Sequence, residues 1–218
     1  MGKIAEAMRF GEVTCDAFKT TVASVTNAMC SSAMELARDK LAQETLASYM
    51  IPLTSFRVHD AVQTLLPSAG ANDDLGLVTG TLGTETPHLS ANDLGAAGAT
   101  TRYARAMYQL PPEYDDAETV NLRVSAACQT AVSDTTCTVD FQAYSADDDL
   151  TVSADLVTTA ATSMNSVTFA NYDFVVTATS LVAGTWLDIR VSMICNDAAT
   201  AVVEPTIASV YLLCDIRG

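Results

Sequence analysis

The sequence predicts an all-β fold, an antiparallel, jelly-roll-like β-sandwich carrying an N-terminal helical arm. Three observations lead there. From residue 53 onward, apolar and polar residues alternate with a period of two in short runs separated by turn-forming clusters. No run in that part has a helical period that could serve as a crossover between parallel strands. Before residue 50, apolar residues instead recur every three or four positions. The expected division is a helical arm over 1–50 and a sandwich over 51–218.

In the arm, Phe18, Val22, Val25, Met29, Ala33 and Leu36 form one apolar face, and Thr14 is a suitable N-cap. The opposite face is mostly Thr, Ser and Asn, with few ion pairs one turn apart. Such a helix is marginal alone in water, so it must pack on something. A further helical stretch is expected over 33–47. Pro52 forces Ile51 into an extended conformation and stops the helix by Met50. Two partners fit the stripe, its own sandwich or another subunit. The second is preferred, with Phe18, Val22, Val25, Met29 and Leu36 as partner-binding residues.

The sandwich strands follow in order. FRVHDAVQTLL is an early extended piece, SAGANDD a turn, and LGLVTGTLG a glycine-rich strand or loop. TTRYARAMYQL places Arg102, Ala104, Ala106 and Tyr108 on one face. TVNLRVSAAC turns Val120, Leu122, Val124 and Ala126 inward, and TCTVDFQAY does the same with Cys137, Val139, Phe141 and Ala143. NSVTFA and YDFVVTAT follow, then a turn at Ala183-Gly184. WLDIRVSMIC turns Leu187, Ile189, Val191 and Met193 inward, and PTIASVYLLCDI closes the sheet system. One apolar face per strand is the mark of an antiparallel sandwich. An immunoglobulin-like strand order fits the same periodicity as a jelly roll.

Charge is divided unevenly. Residues 1–50 hold five Lys/Arg against six Asp/Glu, a net of −1; residues 51–218 hold six against twenty, a net of −14. A body this acidic disfavours nucleic acid, whose affinity comes from cations set against phosphates, and it disfavours anionic membrane surfaces. Mutual repulsion keeps many copies soluble. The start MGKIAEAMRFGEV lacks the apolar core of a secretory signal, and no run reaches membrane-spanning length, so a chain made and kept in a cytoplasm is expected. The six cysteines, Cys15, Cys30, Cys128, Cys137, Cys195 and Cys214, form no C-x-x-C pair. No histidine sits at zinc-ligand spacing either, so a zinc site is disfavoured. Cys128, Cys195 and Cys214 read as small buried hydrophobes, and a Cys128–Cys137 bridge across one hairpin is conceivable.

No catalytic constellation stands out. His59 and His88 are the two histidines; His59 adjoins Asp60, but neighbours on a strand point to opposite faces and cannot act as base and orienter. Asp147, Asp148 and Asp149 lack the alternating spacing of a calcium loop and read as a solvated tip, as do Asp73-Asp74 and Asp115-Asp116. Trp186, the single tryptophan, opens a strand and reads as a plug at the core edge, with a ligand platform as the alternative. No metal, cofactor or catalytic residue is assigned.

The stretches LASYMIPLTSFRVHDAVQTLLP, NDDLGLVTGTLGT, TTRYARAMYQLPPEY, ETVNLRVSA, NDAAT and VYLLCDIRG, in that order, resemble virion structural proteins of tailed bacteriophages, among them head decoration or cement proteins. The resemblance covers roughly 41–218 and carries no enzymatic motif. It implies a β-sandwich, often trimeric, seated on a capsid lattice in the virion, with the major capsid protein and copies of itself as partners. On this reading the protein is structural, not an enzyme, and stabilises the phage head through many simultaneous weak contacts. The expectation from a different class is a glycan- or ligand-binding module of a tail or adhesin, marked by exposed Trp186 or tyrosines.

Overall fold

The structure is a computed structural model that describes residues 45–92, 97–128, 136–146, 149–197 and 203–217. All of them fall within one compact unit, Gln43–Gly218. In chain order the strands are β1 (Thr45–Ile51), β2 (Arg57–Val58), β3 (Ala61–Leu65), β4 (Gly76–Val78), β5 (His88–Ser90) and β6 (Gly98–Gln109). Then come β7 (Val120–Cys128), β8 (Thr136–Ala146), β9 (Thr162–Ser163), β10 (Ala170–Val176), β11 (Trp186–Asp197) and β12 (Pro205–Ile216). Among the described residues the helical content is a single 3-10 turn, Leu53–Ser55.

The strands form two six-stranded sheets with antiparallel neighbours. The first runs β10-β7-β12-β5-β4, with β1 also on β12; the second runs β3-β2-β6-β11-β8-β9. Along β12, Thr206 and Ile207 pair with β5, and Val210 to Ile216 pair with β1. From β6 onward the long strands alternate between the two sheets, so each hairpin of sequence is split across the core.

The period-two pattern sets the core. Val120, Leu122, Val124 and Ala126 of β7 and Val210, Leu212 and Cys214 of β12 face Val139, Phe141 and Ala143 of β8 and Leu187, Ile189, Val191 and Met193 of β11. All are essentially sealed from solvent. The rings of Phe141 and Phe174 meet at 5.0 Å and 58°, tying one sheet to the other in a tilted aromatic pair.

The expected helix does not extend to Met50. Residues 45–51 are strand β1, paired residue for residue with β12 from Thr45↔Ile216 to Ile51↔Val210. The physical reason lies in the spacing: Leu46 and Met50 are four apart, which suits a helix face, but four residues are also two full strand periods. Both side chains are exposed, while Ala47, Tyr49 and Ile51 turn inward. The sandwich therefore starts before residue 51. The stripe Phe18, Val22, Val25, Met29 and Leu36 lies outside the described residues, as do Cys15 and Cys30.

Candidate ligand-binding face

Antiparallel pairing on both sides of β11 arranges the outer side chains of the second sheet in rows across β6, β11 and β8. The register gives Gln109–Trp186–Ala146, then Met107–Asp188–Tyr144, Arg105–Arg190–Gln142, and Tyr103–Ser192–Asp140. Successive rows on one face lie two residues, about 6.6 Å, apart. Arg57 of β2 stands opposite Arg105 and widens the third row. Three of the six arginines beyond residue 50, in a strongly acidic body, thus gather on one face.

These groups hold one another in place. Arg105 donates from Nε to Asp188 Oδ1 at 2.6 Å and from Nη2 to Oδ2, a bidentate pair. That hydrogen bond holds the Arg105 guanidinium above the ordinary arginine value, against the opposing effect of burial. Asp188 itself is 9% exposed. Arg190 donates to Gln142 Oε1 on the neighbouring strand. Its guanidinium carbon also stands 4.8 Å from the centre of the Tyr103 ring, and the His59 ring lies 4.8 Å from the same ring. Tyr103 is therefore engaged as a brace by its own neighbours. Burial pushes the Asp140 carboxyl upward, with its Oδ1 accepting the Phe141 backbone N–H at 2.9 Å.

Among the described residues of β6, β11 and β8, two apolar side chains on this face remain open. Trp186 is 47% exposed and Met107 39% exposed, in adjacent rows. This corrects the expectation of a core-edge plug at Trp186. The turn at Ala183-Gly184, with Gly184 at φ +83°, delivers the chain into β11 so that Leu187 takes the inward position and Trp186 the outward one.

The other candidate residues go elsewhere. His59 lies in the turn between β2 and β3 and approaches Asp73 and Asp74, not Asp60. The Asp73-Asp74 pair is thus more than a solvated tip. His88 is buried at the start of β5 rather than in a polar loop, with Nδ1 3.1 Å from the Thr86 carbonyl. Asp147 and Asp148 lie outside the described residues; Asp149 accepts from Thr151 N and Oγ1 at 2.9 and 2.6 Å, a local turn. Asp115 and Asp116 pair with Arg217 at 3.1 and 2.5 Å. Cys128, Cys137, Cys195 and Cys214 are buried and unbridged, with the Cys128 and Cys137 sulfurs 3.3 Å apart.

No family model matches the sequence. No curated protein matches it either. Among solved structures, the xylan-binding module CBM15 is similar over 80% of this chain and 100% of its own, at 9% identity and TM-score 0.41. The C-terminal family 22 carbohydrate-binding module of Clostridium thermocellum Xyn10B is similar over 81% and 96%, at 12% identity and TM-score 0.39. TmCBM61, solved with β-1,4-galactotriose, is similar over 67% and 86%, at 8% identity and TM-score 0.39. Likeness at this level assigns nothing to the present chain.

Proposed function

We propose that this protein is a non-catalytic binding module that takes a neutral glycan on the outer face of its second sheet. We read its strand order, β1-β12-β7-β10 opposite β6-β11-β8-β9, as that of a jelly roll. One observation carries the functional reading: half-exposed Trp186 stands in the row next to the Arg105–Asp188 pair. A sugar ring offers an apolar face to an aromatic plane and hydroxyls to bidentate polar groups; Trp186, Met107 and Tyr144 supply the first, and Asp188, Arg105 and Gln142 the second. The polar pairs are already formed between themselves, so ligand binding orders few side chains.

The carboxylates on the face suit binding better than glycoside hydrolysis. Asp188 is clamped by Arg105, and Asp140 lies opposite Ser192, four residues further along β11. That separates the two by roughly 13 Å along the strand, outside the ~5–9.5 Å spans of glycosidase acid pairs. The test is a glycan array followed by calorimetry on each hit. Trp186→Ala should weaken binding about 30-fold, the ~2 kcal/mol of a buried aromatic anchor, with an unchanged circular dichroism spectrum. A protein that binds no neutral oligosaccharide, or binds equally well without Trp186, overturns the reading.

A second reading uses the opposite face. On the outer side of the first sheet Leu213 is only 3% exposed, diagonal to Leu46 and Met50 of β1, which are 46% and 55% exposed, while Val175 of β10, on the far side of Asn121, is 49% exposed. A partly covered apolar strip of this kind suits contact with another protein surface. Together with the resemblance to phage virion proteins, it supports a role as a capsid decoration protein that stabilises the head, bound to the major capsid protein and to its own copies. Loss of co-sedimentation with assembled capsids in the Leu46→Asp/Met50→Asp double variant is the expected result. A wild-type protein that never co-sediments with capsids excludes this reading.

A further inference from the structure

We propose that His59, Asp73 and Asp74 form a binding site for a first-row divalent cation of the zinc type. The three residues come from two turns that the fold brings together. His59 follows β2 directly. Asp73 and Asp74 sit in a tight turn closed by Ala71 N to Asp74 O at 3.0 Å and Asp74 N to Ala71 O at 2.9 Å, with Asn72 in the left-handed region at φ +54°. Tyr103 then locks this turn to β6: its N–H donates to Asp73 O at 2.8 Å and its carbonyl accepts from Leu75 N at 2.9 Å. The backbone of both carboxylate residues is therefore fixed before any ion arrives.

The side chains converge. One ring nitrogen of His59 and one oxygen from each carboxylate all lie within 4.8 Å of one another. Nδ1 stands 3.5 Å from Asp74 Oδ1 and Nε2 3.7 Å from Asp73 Oδ2. One ion takes only one of the two ring nitrogens, and ligands at about 2.0–2.2 Å from a tetrahedral ion sit roughly 3.4 Å apart, so the widest pair has to close by about 1.4 Å. Asp73, whose side chain is 58% exposed, is free to make that movement, whereas those of His59 and Asp74 are 15% and 16% exposed and held. The Tyr103 ring, 4.8 Å from that of His59, backs the imidazole.

Charge points the same way. Two carboxylates share a site with one imidazole, and the nearby guanidinium of Arg105 is already committed to Asp188. A divalent cation relieves the like-charge repulsion and leaves the exposed Asp73 side open for water. The donor set of one imidazole and two carboxylates suits zinc, cobalt or manganese; calcium takes six to eight oxygens and magnesium an octahedron of oxygen.

The full chain, freed of metal, is titrated with Co2+ and then with Zn2+. The expected result is one Co2+ per chain at a site without the sulfur-to-metal absorption of thiolate ligands, displaced by Zn2+ and not by Ca2+. His59→Ala and Asp74→Asn should each weaken binding at least tenfold. Asp73→Asn alters an exposed side chain and keeps the test decisive should the other variants fail to fold. No stoichiometric binding, a thiolate signature, displacement by Ca2+, or unchanged affinity in Asp73→Asn overturns the proposal.

Discussion

Arg105 and Asp188 face each other diagonally across the β6–β11 ladder and close a bidentate ion pair, with Nε and Oδ1 2.6 Å apart. The pair is asymmetric in its exposure: the arginine side chain is 36% exposed and the aspartate side chain 12%. Removing the arginine strands a carboxylate that is shielded from water, and that stranded charge, more than the lost attraction, sets the cost. Arg105→Ala should lower stability by about 1–3 kcal/mol, seen as a lower urea midpoint with an unchanged slope. Arg105→Lys should recover only part, because an ammonium cannot make the two parallel bonds. Asp188→Asn/Arg105→Ala together should be milder than Arg105→Ala alone. Full stability in Arg105→Ala would show that water already solvates Asp188.

Gly76 marks the point where β4 crosses the chain leading into the Ala71–Asp74 turn. A Cβ placed there would fall 2.2 Å from the Ala69 backbone carbon and 2.4 Å from Gly70 N. Backbone cannot swing aside as a side chain can, so the turn carrying Asp73 and Asp74 must shift. Gly76→Ala should cost about 1–3 kcal/mol or more and disturb the His59 cluster. Gly83, at φ +83° with open space around it, provides the control: Gly83→Ala should cost only the roughly 1–2 kcal/mol of a left-handed backbone. Equal effects in thermal unfolding would contradict the close approach at Gly76.

Tyr114 links stability to high pH. Its side chain is fully buried, its hydroxyl donates to Glu118 O at 2.7 Å, and burial foremost pushes its pKa up to about 12 from an ordinary 10. The folded state therefore keeps the proton that the unfolded state releases near pH 10. Its contribution is complete below pH 10 and is lost as pH rises through 12, on the order of 2 kcal/mol. Cys214, raised by burial from 9 to about 11, acts with the same sign in an overlapping window. Urea midpoints should be level from pH 7 to 9 and fall between pH 9 and 12. A level midpoint up to pH 12 would contradict the burial of both groups.

The long strands were legible because their chemistry is local. Leu187, Ile189, Val191 and Met193 alternate with Asp188, Arg190 and Ser192, and this alone fixes which side of β11 faces the core. The candidate face was not legible, although every residue on it was visible. Trp186, Met107 and Tyr144 come from three strands, and only the register of β11 against β6 and β8 sets them in neighbouring rows. His59 and Asp74 are fifteen residues apart, with strand β3 and a turn between them, and no spacing rule joins them. The period-four pair Leu46 and Met50 mimics a helical face, and the segment becomes β1 only through its pairing with β12, from Thr45↔Ile216 to Ile51↔Val210, a contact distant in sequence that leaves no local signal.

The four described cysteines give the last test. Cys128, Cys137, Cys195 and Cys214 have essentially no accessible surface. The Cys137 thiol sits between Cys128 at 3.3 Å and Cys195 at 3.8 Å, and the hydrogen bonds to these sulfurs, with burial, push its ionisation well above the usual thiol range. Because the thiolate is the reactive form, both access and ionisation oppose modification. In a Cys15→Ser/Cys30→Ser variant, a thiol-specific chromophoric reagent at pH 8 should label no cysteine in the native protein and four after unfolding in urea. The labelling rate should then report the global opening of the sandwich, since Cys137 on β8 and Cys214 on β12 belong to different sheets. Rapid labelling of one thiol in the folded state would locate a sheet that opens on its own.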